Sequence, residues 1–224
     1  MKKLHSIVFK AFTLITVCLF CTTEEAYSQK YKSPIDSVNH LISQIKVDTL
    51  KLEQMAVLTN LLTKSDINLA LKTGRETLSV SKKLGWKRGI GHALSVMSEI
   101  HQKLGNADSS YYYGNASIEI DKLLGNRHDL SRSYNSQGVN YVHFGDEEQA
   151  EKYLLKALEI NKTVNDSSGL ADIYLNLANV ASMQGNDNKT LEYDILALRI
   201  YEKINDEKQL SGSYNNTAID FTHL

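Results

Sequence analysis

Between residues 170 and 183 the apolar residues Ile173, Tyr174, Leu177, Ala178 and Ala181 recur at steps of three and four. That spacing puts them on one stripe of a helix. Gly185-Asn186-Asp187 then stops it, because glycine accepts the left-handed conformation of a helix C-terminus. A second stripe of Leu191, Ile195, Leu198 and Tyr201 predicts a helix over 188–204, closed by the polar turn Asn205-Asp206. The same alternation predicts helices over 130–143 and 147–164, joined at Gly145-Asp146.

The pattern repeats with a step of 40 residues. Tyr134, Tyr174 and Tyr214 keep it, as do Gly105, Gly145 and Gly185, and Tyr113, Tyr153 and Tyr193. Leu130, Leu170 and Leu210 form another column, and Leu84, Leu124, Val164 and Ile204 another. Ile120, Ile160 and Ile200 complete six columns in phase. A helix pair of this size cannot bury its apolar face alone and must stack on its neighbours. Gly138, Ala150, Ala157, Ala178 and Ala197 mark the places where helices approach closely.

These residues resemble the tetratricopeptide repeat family. Its pattern of aromatic, small residue, aromatic, Gly-Asp turn and two small residues seven apart is met by Tyr134, Gly138, Tyr141, Gly145-Asp146, Ala150 and Ala157. Tyr174, Ala178, Gly185 and Ala197 follow it, with Ala181 in place of an aromatic and Thr190 in place of an alanine. Tyr214, Ala218 and Phe221 open a further copy. The step of 40 exceeds the family's usual about 34 residues, and the proline between repeats is missing. HEAT-type repeats share the longer period, but the Gly-Asp turn and paired aromatics favour the tetratricopeptide pattern. The resemblance implies an all-α fold: a right-handed superhelical solenoid of antiparallel helix pairs, about four and a truncated fifth, over 50–224. Earlier copies are weaker. One contains Leu94, His101, Gly105 and Tyr113, and a degenerate first one contains Met55, Leu62, Ala70 and Val80.

The N-terminus reads differently. Lys2 and Lys3 precede an apolar run over 11–21, and Ala26-Tyr27-Ser28 supplies small residues at a cleavage position before Gln29. This is the form of a secretory signal peptide over 1–28. The run is too short for a comfortable membrane span, so export to the periplasm is expected, with retention as a membrane anchor the alternative. Bulky Val17 and Phe20 before Cys18 and Cys21 argue against lipid attachment. Both cysteines fall within the segment, so the mature chain would hold neither a disulfide nor a thiolate. A lone helix is expected within 29–49, with Ser33 as its cap and Pro34 in its first turn.

Composition narrows the function. The net charge is -1, and removal of the leader leaves 22 basic and 24 acidic residues. No basic stripe suited to nucleic acid is present. The histidines form no His-x-x-x-His or Glu-x-x-His pair, and no nucleophile elbow or phosphate loop appears. Gly85, Gly89 and Gly91 are expected at a turn between helices. Neither catalysis, metal nor cofactor is expected, and His101 is read as a packing residue in the column of Tyr141 and Phe221.

In the resembled family, partners lie along the surface of the first helix of each pair. That implies a groove of His92, Ser95, Glu99, Gln102 and Lys103, then Arg132, Asn135, Val139, Val142 and His143, then Asp172, Leu175, Asn179, Ser182 and Met183. This mixed polar row suits a protein or an extended peptide. The chain ends within the fifth pair, whose first helix would offer Tyr214, Ala218 and Phe221 for end-to-end self-association. The long repeats and the Asp48-Thr49-Leu50 entry also resemble the N-terminal regions of bacterial sensor histidine kinases and membrane-bound transcriptional regulators. A truncated sensor is therefore the alternative to a binding scaffold.

Overall fold

The structure, a computed structural model, describes residues 48–206 together with 209–210, 212–214 and 217, with side chains from residue 55 onward. The expected signal segment, lone helix, Ala218 and Phe221 lie outside these residues. Among the described residues eight complete helices follow one another: α1 (Asp48–Leu62), α2 (Ile67–Lys83), α3 (Lys87–Lys103), α4 (Ala107–Leu124), α5 (Arg127–Phe144), α6 (Glu147–Asn161), α7 (Ser167–Met183) and α8 (Asp187–Ile204). Among the described residues there is no strand, and no helix is long and apolar enough to cross a membrane.

The turns explain the regular spacing. After seven of the helices the chain passes through a left-handed residue: Gly85, Gly105, Gly125, Gly145 and Gly185, then Asn165 and Asn205 where the column departs from glycine. Asn is the residue after Gly that best tolerates this conformation. The next residue begins the following helix, and at several of these starts its side chain accepts a backbone N–H. Asp146 accepts from Gln149, Asp166 from Gly169 and Asn186 from Lys189, at 2.9–3.1 Å. Residues 162–164 therefore belong to the turn rather than to α6, which stops at Asn161. Gly89 and Gly91, expected at a turn, lie inside α3 instead. Both are there for closeness: a Cβ on Gly89 would overlap the Trp86 ring, and one on Gly91 would meet Asp121 and Ile120 at 3.2 Å.

Helices pair as α1/α2, α3/α4, α5/α6 and α7/α8, and each pair stacks on the next. The first helices also touch one another in the series α1, α3, α5, α7. This is a tetratricopeptide-like helical solenoid.

Its core is not continuous. Leu58, Leu62, Ala70, Met97 and Ile100 form one apolar cluster in the first two pairs. Ile118, Tyr134, Leu154, Leu158, Ile173, Leu177 and Val180 form another, drawn from α4 to α7, and Ala171, Ala197 and Tyr201 form a third between α7 and α8. Between the first two lies a buried polar layer. Ser98 and Ser110 exchange hydroxyl-to-carbonyl bonds at 2.8 and 3.1 Å, and Asn140 Nδ2 donates to Ser98 Oγ at 2.8 Å and to Gln137 Oε1 at 2.9 Å. Ser117 donates to the Gly91 carbonyl, and Ser133 to the Asp121 carboxylate at 2.6 Å. Buried polar groups are tolerated when paired in this way.

Candidate binding groove

The face carried by α1, α3, α5 and α7 holds a row of neighbouring cavities. One, of about 180 Å³, lies where the second pair meets the third and is lined by His92, Ser95, Glu99, Asp121, Asp129 and Arg132 among others. A second, of about 400 Å³, lies where the third meets the fourth, around Arg132, Asn135, Asn161, Asp166, Gly169 and Asp172. A third, of about 360 Å³, lies between the first and second pairs, around Asn60, Trp86, Arg88, His92 and Arg132. A fourth, between α3 and α5, is lined by Ser95, Glu99, Gln102, Asn135 and Val139. Arg132 borders the first three, so they adjoin one another along this face in a single run, the channel.

The junction cavities are copies of one another. Gly91, His92, Ser95, Asp121, Asp129 and Arg132 of the one recur 40 residues on as Ser131, Arg132, Asn135, Asn161, Gly169 and Asp172 of the other. Their floor comes from the second helix of the preceding pair, at a column that is polar although buried: Ser81, Asp121, Asn161 and Tyr201.

The electrostatics vary along the row. Burial pushes the Asp121 carboxyl above its usual range; the Ser133 hydroxyl pulls it back, Asp129 adds to the rise, and His92 and Arg132 oppose it. Asp129 is held by Arg88 at 3.6 Å and by the Asn126 amide at 2.6 Å. Arg132 and His92 are exposed and make no hydrogen bond or ion pair among the described residues.

The fifteen residues expected in the groove separate into four groups. His92, Ser95, Glu99, Gln102, Arg132, Asn135, Val139 and Asp172 line the cavities. Several of these already have partners: Gln102 donates to the Val139 carbonyl at 3.3 Å, and Asn135 accepts from Asn176 at 3.0 Å. Lys103 is turned to α1, pairing with Glu99 at 2.8 Å and donating to Thr63. Val142 and Leu175 pack against the apolar clusters. His143, Asn179, Ser182 and Met183 are exposed and line none of these cavities.

Residues absent from that expectation also line the channel. Val96 and Ser136 share a column one position beyond Ser95 and Asn135, and Ser117, Asp121 and Asn161 rise from the second helices. The 40-residue comparison carries the signal for the last of these, since a polar residue at every copy of a buried position needs a reason.

On the outer side, the aromatic columns stack. Tyr111 lies on Tyr141 at 4.3 Å, Tyr141 lies 5.2 Å from Tyr153, and Lys156 sits over Tyr134 and Tyr153. Tyr112, by contrast, is 68% exposed.

Comparison with known proteins agrees with this architecture. Tetratricopeptide repeat profiles match residues 90–163 and 170–208, together just over half of the chain. No curated protein matches by sequence. Among solved structures, BtubC (BKLC) from P. vanneervenii is similar with a TM-score of 0.70 and 18% identity, over 90% of this chain and 84% of that one. A Rap protein complexed with Competence and Sporulation Factor has a TM-score of 0.73 and 15% identity, over 85% of this chain and 58% of that one. A STAND protein with a tetratricopeptide repeat sensor from Pyrococcus horikoshii has a TM-score of 0.69 and 14% identity, over 83% of this chain and 29% of that one. This chain thus spans little more than half of the Rap protein and under a third of the STAND protein. At such identities the likeness is one of fold. With its profile matches, its period and its stacked helix pairs, the chain belongs to the tetratricopeptide repeat family.

Proposed function

We propose that the chain is a binding scaffold that holds an extended peptide segment of a partner protein along α3, α5 and α7. The observation that carries this is the pair of repeat-equivalent polar cavities that share Arg132. A ligand that spans successive copies must itself be extended, and mixed donors and acceptors suit a peptide backbone and its side chains. The similar Rap fold in complex with a factor supports the same reading.

The test is selection from a random dodecapeptide display library on the full chain, followed by calorimetric titration of the enriched peptides. Arg132→Ala and Asn135→Ala are expected to weaken binding about tenfold each. Lys152→Ala, at an exposed position of α6, is expected to leave it unchanged. Failure to enrich any peptide, or equal effects of all three substitutions, contradicts the reading.

Export is part of the proposal and rests on Lys2, Lys3, the apolar run and Ala26-Tyr27-Ser28. Sequencing the N-terminus of the exported protein should begin at Gln29. A second reading, favoured by the likeness to a STAND protein with a repeat sensor, makes this the recognition part of a membrane-bound signalling protein. A reading frame that continues past Leu224 into a membrane helix and an output domain supports it; a stop codon there contradicts it.

A further inference from the structure

The cavity between the third and fourth pairs differs from its copy in two respects, and both change what it can accept. Where the second and third pairs meet, the Asp121 carboxylate takes the Ser133 hydroxyl at 2.6 Å. One repeat on, Asn161 stands in the place of Asp121 and Ile173 in that of Ser133. Isoleucine has no hydrogen to donate. Asn161 is 3% exposed, and its Oδ1 has no hydrogen-bond partner. A buried carbonyl without a donor is disfavoured, so the position favours a group that supplies an N–H.

The second difference is charge. Asp172 occupies the position that Arg132 has in the preceding copy. One of its oxygens accepts the Tyr201 hydroxyl at 2.6 Å, which fixes the carboxylate. Asp166 borders the same space, pairs with His128 at 2.9 Å and caps α7 through the Gly169 N–H. Gly169 keeps the floor open: a methyl there would come within 2.5 Å of Asp166 Oδ2 and 3.0 Å of Asn161 Nδ2. The two basic groups that reach the cavity are His128, already held by Asp166, and the exposed Arg132.

We propose that this cavity receives a basic side chain, an ammonium or guanidinium, of the bound peptide. Asn161 Oδ1 accepts one of its N–H groups and Asp172 supplies the countercharge. This rests on the peptide-binding reading above and adds the chemistry of one position. The cavity's volume of about 400 Å³ accommodates a lysine or arginine end.

The experiment is the same random dodecapeptide selection, run on the full chain and on Asp172→Asn, Asn161→Leu and Tyr201→Phe, with thermal melts to confirm folding. The wild type should enrich Lys or Arg at one fixed position. Asp172→Asn and Asn161→Leu should still enrich peptides but lose that preference, whereas Tyr201→Phe, which keeps the charge, should retain it. On synthetic peptides, Lys→norleucine at that position should weaken binding to the wild type about tenfold and to Asp172→Asn less than about twofold. The isosteric Asp172→Asn and the peptide substitution keep the test decisive if Asn161→Leu does not fold. Peptides enriched without a basic position, or a preference that survives Asp172→Asn, overturn this inference alone. No enrichment at all overturns the peptide reading and this inference with it.

Discussion

Gly138 of α5 lies so close to Leu154 of α6 that a methyl on its Cα would stand 2.6 Å from Leu154 Cγ and 3.4 Å from the Ala150 carbonyl. One repeat earlier the same two positions hold Ser98 in α3 and Gly114 in α4, and a methyl on Gly114 would overlap the Gln137 amide of α5 before it came 3.1 Å from Ser98 Oγ. There the missing side chain makes room for a residue of the next pair as well as for its own partner helix. Gly138→Ala is expected to destabilise the fold by about 1–3 kcal/mol through overpacking. Adding Leu154→Val should recover part of the loss. Urea unfolding of the two variants measures both effects.

Gly145 poses the opposite problem. Nothing lies within 4 Å of a Cβ added there, but its φ is 79°. Gly145→Ala should cost about 1–2 kcal/mol for purely conformational reasons. Gly145→Asn should cost less, since Asn165 and Asn205 hold the same left-handed conformation in this chain. Equal melting points for the Ala and Asn variants would contradict this.

The polar layer between the first two apolar clusters has its own signature. Asn140 bridges Ser98 and Gln137 within it. Asn140→Leu leaves Gln137 Oε1 without that donor and should cost about 1–3 kcal/mol. Hydrogen exchange should then show α1 to α3 opening more readily than α5 to α8, because the lost bonds join the two clusters.

His101 supplies a pH dependence. Its ring stacks on Tyr113 at 5.2 Å and its Nδ1 is buried without a partner. Burial, and then the Arg75 charge, lower its pKa from 6.5. The unfolded chain therefore takes up this proton more readily than the folded one. The stability tied to neutral His101 is complete above pH 6.5 and is lost as the pH falls through that value towards the lowered pKa. His101→Phe removes this loss. The melting point of the variant, relative to wild type, should rise between about pH 7.5 and pH 5.5; a constant difference would count against it.

Much of the architecture was legible in the sequence because one period governs both turns and packing. The column of Gly105, Gly145 and Gly185 is a column of left-handed turns, and the Tyr113, Tyr153 and Tyr193 column is one of half-buried rings. Where one column serves two purposes, spacing misleads. Val164 sits in the column of Leu84 and Leu124, yet α6 has already ended at Asn161. The groove was half legible. Helical spacing on the first helices reaches Ser95, Arg132 and Asn135, but it cannot show that Asp121 and Asn161 come up between them from the second helices. Nor can it separate Val142, which turns to the core, from Val139, which lines the channel.

The central claim is that a peptide lies along the face of α3, α5 and α7, and photo-crosslinking tests it most directly. Benzoylphenylalanine would be placed at Ser136, which lines three of the four cavities, and separately at Glu159, exposed on α6. With a peptide enriched from the library, crosslinks should form from position 136 and not from 159. Crosslinks from 159 alone, or equally from both, would contradict the account.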